Sequence, residues 1–194
     1  LKRIKTTASK IEKKLGYPCF VKPANAGSSV GITKAHNKEE LMEGLKVAAV
    51  HDSKIVVEEG IVGREIECAV LGNRGHVEAS CVGEIFSAGE FYDYDAKYNN
   101  AESKTVVPAE ISPEKQDEIR KMAVKVFNAV DGSGLARVDF FVENETENVI
   151  FNELNTLPGF TPISMYSMLW AACGKSTAEL LDNLIELALE RFSL

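Results

Sequence analysis

Residues 137–155 constrain the fold most. They read Arg137-Val138-Asp139-Phe140-Phe141-Val142, a polar stretch at 143–148, then Val149-Ile150-Phe151-Asn152-Glu153-Leu154-Asn155. Two apolar runs rich in β-branched and aromatic residues, joined by a short acidic and amide-rich link, predict an antiparallel hairpin. Side chains alternate across a strand, so Arg137 shares a face with Asp139, and Glu153 with Asn155. If the strands pair with those faces together, two carboxylates, an amide oxygen and a guanidinium meet in one patch. Hard divalent cations take oxygen ligands, and Mg²⁺ characteristically sits between one or two carboxylates and a substrate phosphate. The arginine would face the anion that such a cation holds. The same residues also suit a hairpin with an ordinary charged solvent face.

The 194 residues suffice for one domain or two small ones. With 45% hydrophobic and 26% charged residues the chain is typical of a soluble globular protein. A net charge of −7 disfavours nucleic acid or an anionic membrane as partner. Cys19, Cys68, Cys81 and Cys173 are scattered without metal-ligand spacing and read as reduced thiols of a cytosolic protein. The longest uncharged run, residues 154–174, contains Pro158, Pro162 and several hydroxyls, and makes a poor membrane span. His36, His51 and His76 lack ligand spacing and receive no role. The first residues, Leu1-Lys2-Arg3, lie inside a helical pattern, so the chain is read as a piece of a longer protein.

In chain order, residues 8–15 predict the end of a helix stopped by Gly16, and residues 18–22 a short strand ending in Lys22. A loop of small residues follows to Ser29, and a strand is expected at 30–33. Asn37 and Glu40 resemble a capping box opening a helix. Ile55, Val56 and Val57 suggest a buried strand ending at Glu58-Glu59-Gly60, where a domain boundary is placed. Residues 64–71 and 76–83 read as strands around an Asn73-Arg74-Gly75 turn. Residues 86–105 read as one long, polar and aromatic loop, and a loop of that length usually has a function. Ser112-Pro113-Glu114 opens a helix with Ile119, Met122, Ala123, Val126, Phe127 and Val130 on one face. The last helix is expected from a Ser176–Glu179 capping box to about Arg191, with Leu180, Leu184, Ile185 and Leu187 turned inward. Antiparallel strands with helices on one side define an α+β fold.

Three further groups can carry chemistry. Lys22 precedes a loop containing Gly27-Ser28-Ser29, whose backbone N–H groups and hydroxyls suit phosphate oxygens, although the Walker A order is absent. Glu58, Glu59 and Glu65 can accept bonds from an adenine amino group or ribose hydroxyls. The run Phe91-Tyr92-Asp93-Tyr94-Asp95-Ala96-Lys97-Tyr98 suits a lid that closes over a charged ligand. Each group alone also fits an ordinary turn, acidic corner or surface loop.

Together and in this order, the groups resemble the ATP-grasp superfamily and, within it, the D-alanine–D-alanine ligase family. The resemblance rests on Val21-Lys22-Pro23, Gly27-Ser28-Ser29-Val30-Gly31, the tyrosine-rich run, Arg137-Val138-Asp139, and Glu153-Leu154-Asn155-Thr156-Leu157-Pro158-Gly159-Phe160-Thr161. It covers the chain from about Leu15 onward. It implies an ATP-grasp fold of two α+β subdomains holding nucleotide between them. Residues 1–58 would form part of the central subdomain, and 59–194 the C-terminal subdomain with the metal and substrate site. It implies ATP and two Mg²⁺ ions, with Mn²⁺ as an alternative, in a cytoplasmic ligase of peptidoglycan precursor and cell-wall synthesis.

By that resemblance Lys22, Ser28, Ser29 and Lys97 would bind phosphates, Glu58 and Glu59 would lie on the adenine side, and Glu65 would meet the ribose. Asp139, Glu153 and Asn155 would hold the metal ions, and Arg137 would steady the transferred phosphoryl group. Tyr98 would join Ser28 and Glu65 in a hydrogen-bond network, and Ser164 and Met165 would face the carboxylate of the second D-alanine. Met165 stands where the family frequently has leucine, so D-serine or D-lactate as second substrate stays open. The family's N-terminal domain, with part of the first D-alanine site and a further lysine for ATP, is not in these residues, and these 194 residues alone are expected to form no dipeptide. A homodimer of the full-length protein is compatible with the resemblance. Another ATP-grasp carboxylate–amine ligase and a non-catalytic nucleotide-binding module remain alternatives.

Overall fold

A computed structural model describes residues 2–25, 29–86, 104–161 and 163–193, with the side chains of residues 2 and 3 excepted. The chain divides into two compact units: the described part of the first is residues 2–25 and 29–61, and that of the second is 62–86, 104–161 and 163–193.

The first unit contains α1 (Lys2–Leu15), β1 (Cys19–Pro23), β2 (Thr33–Ala35), α2 (Lys38–His51) and β3 (Ile55–Glu59). Its antiparallel sheet has the order β2-β1-β3. One face carries the fully buried Cys19, Val21 and Ala35, closed by Ala8, Leu41 and Ala48 from the helices. Gly44 lets α2 run close to the sheet, since a Cβ there would stand 3.1 Å from Thr33 and 3.3 Å from Val21. Gly16, at φ +72°, ends α1 in the left-handed region that glycine enters without steric cost. Asn37 caps α2 by accepting from the Glu40 N–H at 2.9 Å. The return bond of the expected box is displaced by one residue: Glu40 accepts from His36 N at 2.8 Å.

Two expectations change here. Residues 30–32 are a turn rather than a strand, because Ser29 and Gly31 both have positive φ (60° and 75°) and cannot continue a ladder. The strand starts only at Thr33. β3 is an edge strand, half-buried rather than buried over residues 55–58.

The second unit contains β4 (Gly63–Asn73), β5 (His76–Phe86), β6 (Lys104–Val106), α3 (Pro113–Ala129), β7 (Gly134–Glu143), β8 (Val149–Asn155), α4 (Met165–Ala172) and α5 (Thr177–Phe192). Its antiparallel sheet runs β6-β5-β4-β7-β8. One face presents Ile66, Cys68, Val70, Val82, Ala136, Val138, Phe140 and Val142 to Ile119, Ala123 and Phe127 of α3. Burying side chains of this size contributes about 1.5–3 kcal/mol each, which makes this the dominant core. α4 packs on β4 and β5. It comes so close that a Cβ at Gly83 would stand 2.8 Å from the Met165 sulphur and 3.1 Å from Leu169. Ser112 caps α3, and Ser176 with Glu179 completes the expected box on α5.

The sequence pattern gave no helix at 165–172, where α4 stands. Val130 and Ile185, expected inside, are 56% and 59% exposed. Val130 follows the last turn of α3, and the backbone doubles back through Asp131 (φ 55°), packing Gly132 against the Phe127 ring instead. On α5 only Leu180 is fully buried, so the buried stripe is narrower than the apolar one. The ends of the expected loop at 86–105 are strand, Phe86 closing β5 and Lys104 opening β6.

Candidate active site

The face of the second sheet opposite α3 is polar at its centre. β7 and β8 pair Arg137 with Asn155 and Asp139 with Glu153, which brings the two polar faces together. A β-bulge makes this possible. Asp139 pairs with Glu153, but Phe140 pairs with Phe151, leaving Asn152 as the additional residue of β8. In an unbroken strand Phe151 and Glu153 would share a face. With Asn152 taken out of the ladder, Val149, Phe151 and Leu154 pair with the core-facing Val142, Phe140 and Val138, and Glu153 and Asn155 turn to the other side.

The side chains then form one bonded cluster. Arg137 donates from Nε to Asp139 Oδ1 at 2.8 Å and from Nη2 to Oδ2 at 2.7 Å, a bidentate fork. Asn155 Nδ2 donates to Asp139 Oδ2 at 2.9 Å and to Glu153 Oε1 at 3.2 Å. β4 adds Glu67, paired in register with Asp139, whose Oε2 lies 2.9 Å from Arg137 Nε. Arg137, Glu67 and Asp139 are all nearly buried, with side chains 11%, 7% and 11% exposed. Burial alone would lower the pKa of Arg137, but the bond to Asp139 and the charges of Glu67, Asp139 and Glu153 outweigh it and hold the guanidinium charged.

Glu65, two residues before Glu67 on the same face, is pushed up from 4.5 to about 7, first by burial and then by the charge of Asp139. Glu67 is the member of this cluster that the motifs did not single out. Its signal was the strand period: the step of two from Glu65 puts it on the same face.

The donor set fits a hard divalent cation. Oxygens of Asp139 and Glu153 converge on one amide N–H₂ group, and an Asn amide turned end for end offers its oxygen at the same place. Among the described residues no group of three or more His, Cys, Asp or Glu side chains forms a complete cation cage. Two carboxylates and an amide, with the remaining positions left to water and phosphate, are the Mg²⁺ pattern rather than a closed structural site.

Ser164 precedes α4 without capping it. Its Oγ accepts from Thr161 N at 3.1 Å and lies 2.8 Å from Thr161 Oγ1, tying Thr161 to the start of the helix. The first N–H groups of α4, starting with Met165, have no partner within the helix, the arrangement that receives carboxylates. The Met165 side chain is buried, its sulphur toward Gly83.

In the first unit Lys22 and Glu58 share a face of the sheet and form an ion pair at 2.5 Å. Glu59 alternates to the other face, opposite Cys19, and is exposed. Ser29 occupies the turn at 29–31. Ser28, Lys97 and Tyr98 lie outside the described residues.

Residues 2–186 match the family described as "D-ala D-ala ligase C-terminus". The D-alanine–D-alanine ligase of Acetivibrio thermocellus is 56% identical over 190 residues, 98% of this chain and 50% of the relative. D-alanine–D-alanine ligase B of Clostridium tetani is 58% identical over 177 residues, 91% and 49% of the two chains. Among solved structures, the D-alanine–D-alanine ligase of Coxiella burnetii superposes with a TM-score of 0.83 at 37% identity, covering 97% of this chain and 49% of its own. The VanG D-Ala:D-Ser ligase of Enterococcus faecalis gives 0.84 at 41% identity, covering 94% and 53%. Among the described residues, two antiparallel sheets with five helices, one sheet bearing an acidic, arginine-centred cluster, are an ATP-grasp architecture. The chain belongs to the D-alanine–D-alanine ligase family, as part of its C-terminal region. It spans about half the length of the curated relatives that it matches. No described helix is long and apolar enough to cross a membrane.

Proposed function

We propose that the protein carrying this chain is an ATP-dependent ligase that joins two D-alanines through an acyl phosphate, for peptidoglycan precursor synthesis. The observation that carries this reading is the bonded cluster of Arg137, Asp139, Glu153 and Asn155 on one sheet face. The names of relatives more than half identical to the chain support it.

A carboxylate is a poor electrophile because its leaving group would be an oxide. Attack of the first D-alanine carboxylate on the γ-phosphorus of ATP expels ADP and gives an acyl phosphate. The amine of the second D-alanine then attacks the acyl carbon, and inorganic phosphate leaves as that amine gives up a proton. Both steps gather negative charge, so the protein's work is positioning and charge compensation. Arg137 stabilises the phosphoryl group in flight and the tetrahedral intermediate. Lys22, Ser28, Ser29 and Lys97 hold the phosphates, Glu58 and Glu59 lie on the nucleobase side, and Glu65 accepts from the ribose. Asp139, Glu153 and Asn155 hold Mg²⁺, which when bound neutralises phosphate charge. Ser164 and the N–H groups opening α4, beginning at Met165, receive the second substrate's carboxylate. By the family resemblance Tyr98 would join Ser28 and Glu65 in a hydrogen-bond network, and the loop at 91–98 would exclude water, which hydrolyses the acyl phosphate. We place the enzyme in the cytoplasm.

ADP release by the complete protein with Mg²⁺–ATP tests this reading, with D-alanine, D-serine, D-lactate and L-alanine offered separately and in pairs. Stimulation by D-alanine alone, with D-alanyl-D-alanine as product, is the expected result. A mixed D-alanyl-D-serine product would shift the reading toward the activity named for the VanG neighbour. Stimulation by none of the four would overturn it.

A further inference from the structure

We propose that Glu67 is a positioning residue that holds Arg137 in place when Asp139 turns its oxygens to a cation. This rests on the ligase reading above, and in particular on Asp139 as a cation ligand.

Glu67 and Asp139 stand opposite one another in the β4–β7 ladder, both with less than a tenth of their surface exposed. Like charges in that relation repel, and buried carboxylates are costly unless paired. Arg137 is the cation between them, with Nε 2.9 Å from Glu67 and Nε and Nη2 together bound to Asp139. As it stands, both oxygens of Asp139 are taken, one of them twice, since Asn155 also donates to Oδ2. A cation at Asp139 and Glu153 must displace some of these bonds. A buried guanidinium with a single carboxylate partner would cling to it, because losing that partner leaves an uncompensated buried charge. The second carboxylate removes the conflict. Glu67 keeps Arg137 paired through Nε, so that Asp139 is released without Arg137 losing its counter-charge or its place. A purely structural ion pair would stabilise the fold and leave cation affinity alone.

The test is Mn²⁺ uptake by the complete protein in the presence of ADP, followed by the electron paramagnetic resonance of free Mn²⁺. Wild type, Glu67→Gln, Arg137→Gln and the double variant are compared, with unfolding midpoints measured alongside. Glu67→Gln keeps the shape but removes the charge that pairs with Nε, so Arg137 should tighten on Asp139. The half-saturating Mn²⁺ concentration should rise roughly tenfold, the scale on which outer-shell partners act. In the Arg137→Gln background the same change should move it by less than about twofold, because the residue through which Glu67 acts is gone. An unchanged Mn²⁺ midpoint in Glu67→Gln overturns the proposal. So does an equal rise in both backgrounds, which would mean a charge effect independent of Arg137. Should Glu67→Gln unfold, Glu67→Asp takes its place, since it withdraws the carboxylate from Nε, and the same background-dependent rise is required. Wild-type protein that takes up no Mn²⁺ with ADP overturns the ligase reading and this proposal together. Uptake by wild type, matched by Glu67→Gln, overturns this proposal alone.

Discussion

Glu65 carries a carboxyl that titrates near neutrality, a consequence of burial beside the charge of Asp139. Its pKa is higher in the folded chain, about 7, than the unperturbed 4.5, so between those values the folded state holds more protons than the unfolded one. Stability from this group is therefore fully present at the acid end and is lost as pH rises through about 7. Glu65→Gln, neutral throughout, should flatten that fall, and unfolding midpoints of the two proteins from about pH 5 to about pH 8 should converge at the acid end and favour the variant at the alkaline end. Parallel curves would show that the carboxyl titrates normally. Glu153 sits at the rim of the same cluster, with one bond to Asn155. Glu153→Ala removes a proposed cation ligand while touching none of the buried core. Mg²⁺-dependent turnover of the complete protein should fall by more than the roughly 10–100-fold that loss of an outer-shell partner costs, with the unfolding midpoint nearly unchanged. Normal turnover in this variant would remove Glu153 from the metal site.

At the scale of elements, the bulge in β8 decides which way Glu153 and Asn155, the proposed ligands, point. Deleting Asn152 would restore strict alternation and exchange the faces of the residues on one side of it. The deletion variant should lose Mn²⁺ uptake in the presence of ADP, whereas Asn152→Gly, which keeps the additional residue, should retain it. Uptake by both would mean that the strand absorbs the deletion by slipping elsewhere. The parity of Arg137 with Asp139 and of Glu153 with Asn155 was legible in the sequence, because strand period alone fixes it. The bulge was not, since it exists only in the pairing of two strands. The face of Glu67 was legible from its step of two after Glu65, but its partner was not: Arg137 is 70 residues away, and only the ladder brings them together. Helix α4 escaped for another reason. Met165, Tyr166, Leu169 and Trp170 are all buried, and a short helix apolar on most sides has no polar face to give its period away. Ile185 failed in the opposite sense, because apolar spacing on α5 indicates a possible inner face and cannot say how much of it the neighbours cover.

At the scale of the molecule, the two units each have a core of their own, and each carries proposed site residues, Lys22 and Glu58 in one and the Arg137 cluster in the other. The curated relatives bring about as much chain again. These 194 residues alone are therefore expected to take up Mn²⁺ weakly with ADP and to release no ADP in response to D-alanine. Dipeptide formation by this chain would show that it holds a complete first-substrate site. The cluster's own composition also sets an order of arrival. Three carboxylates, Glu67, Asp139 and Glu153, face one guanidinium, and Glu65 adds a fourth as it ionises. Such a surface repels a bare polyphosphate as firmly as it attracts a divalent cation. Under the ligase reading proposed above, the metal would be the herald of the nucleotide: the triphosphate would enter already complexed or follow an ion that has reversed the local sign, and free ATP in excess over Mg²⁺ would act as a poor competitor rather than a trap.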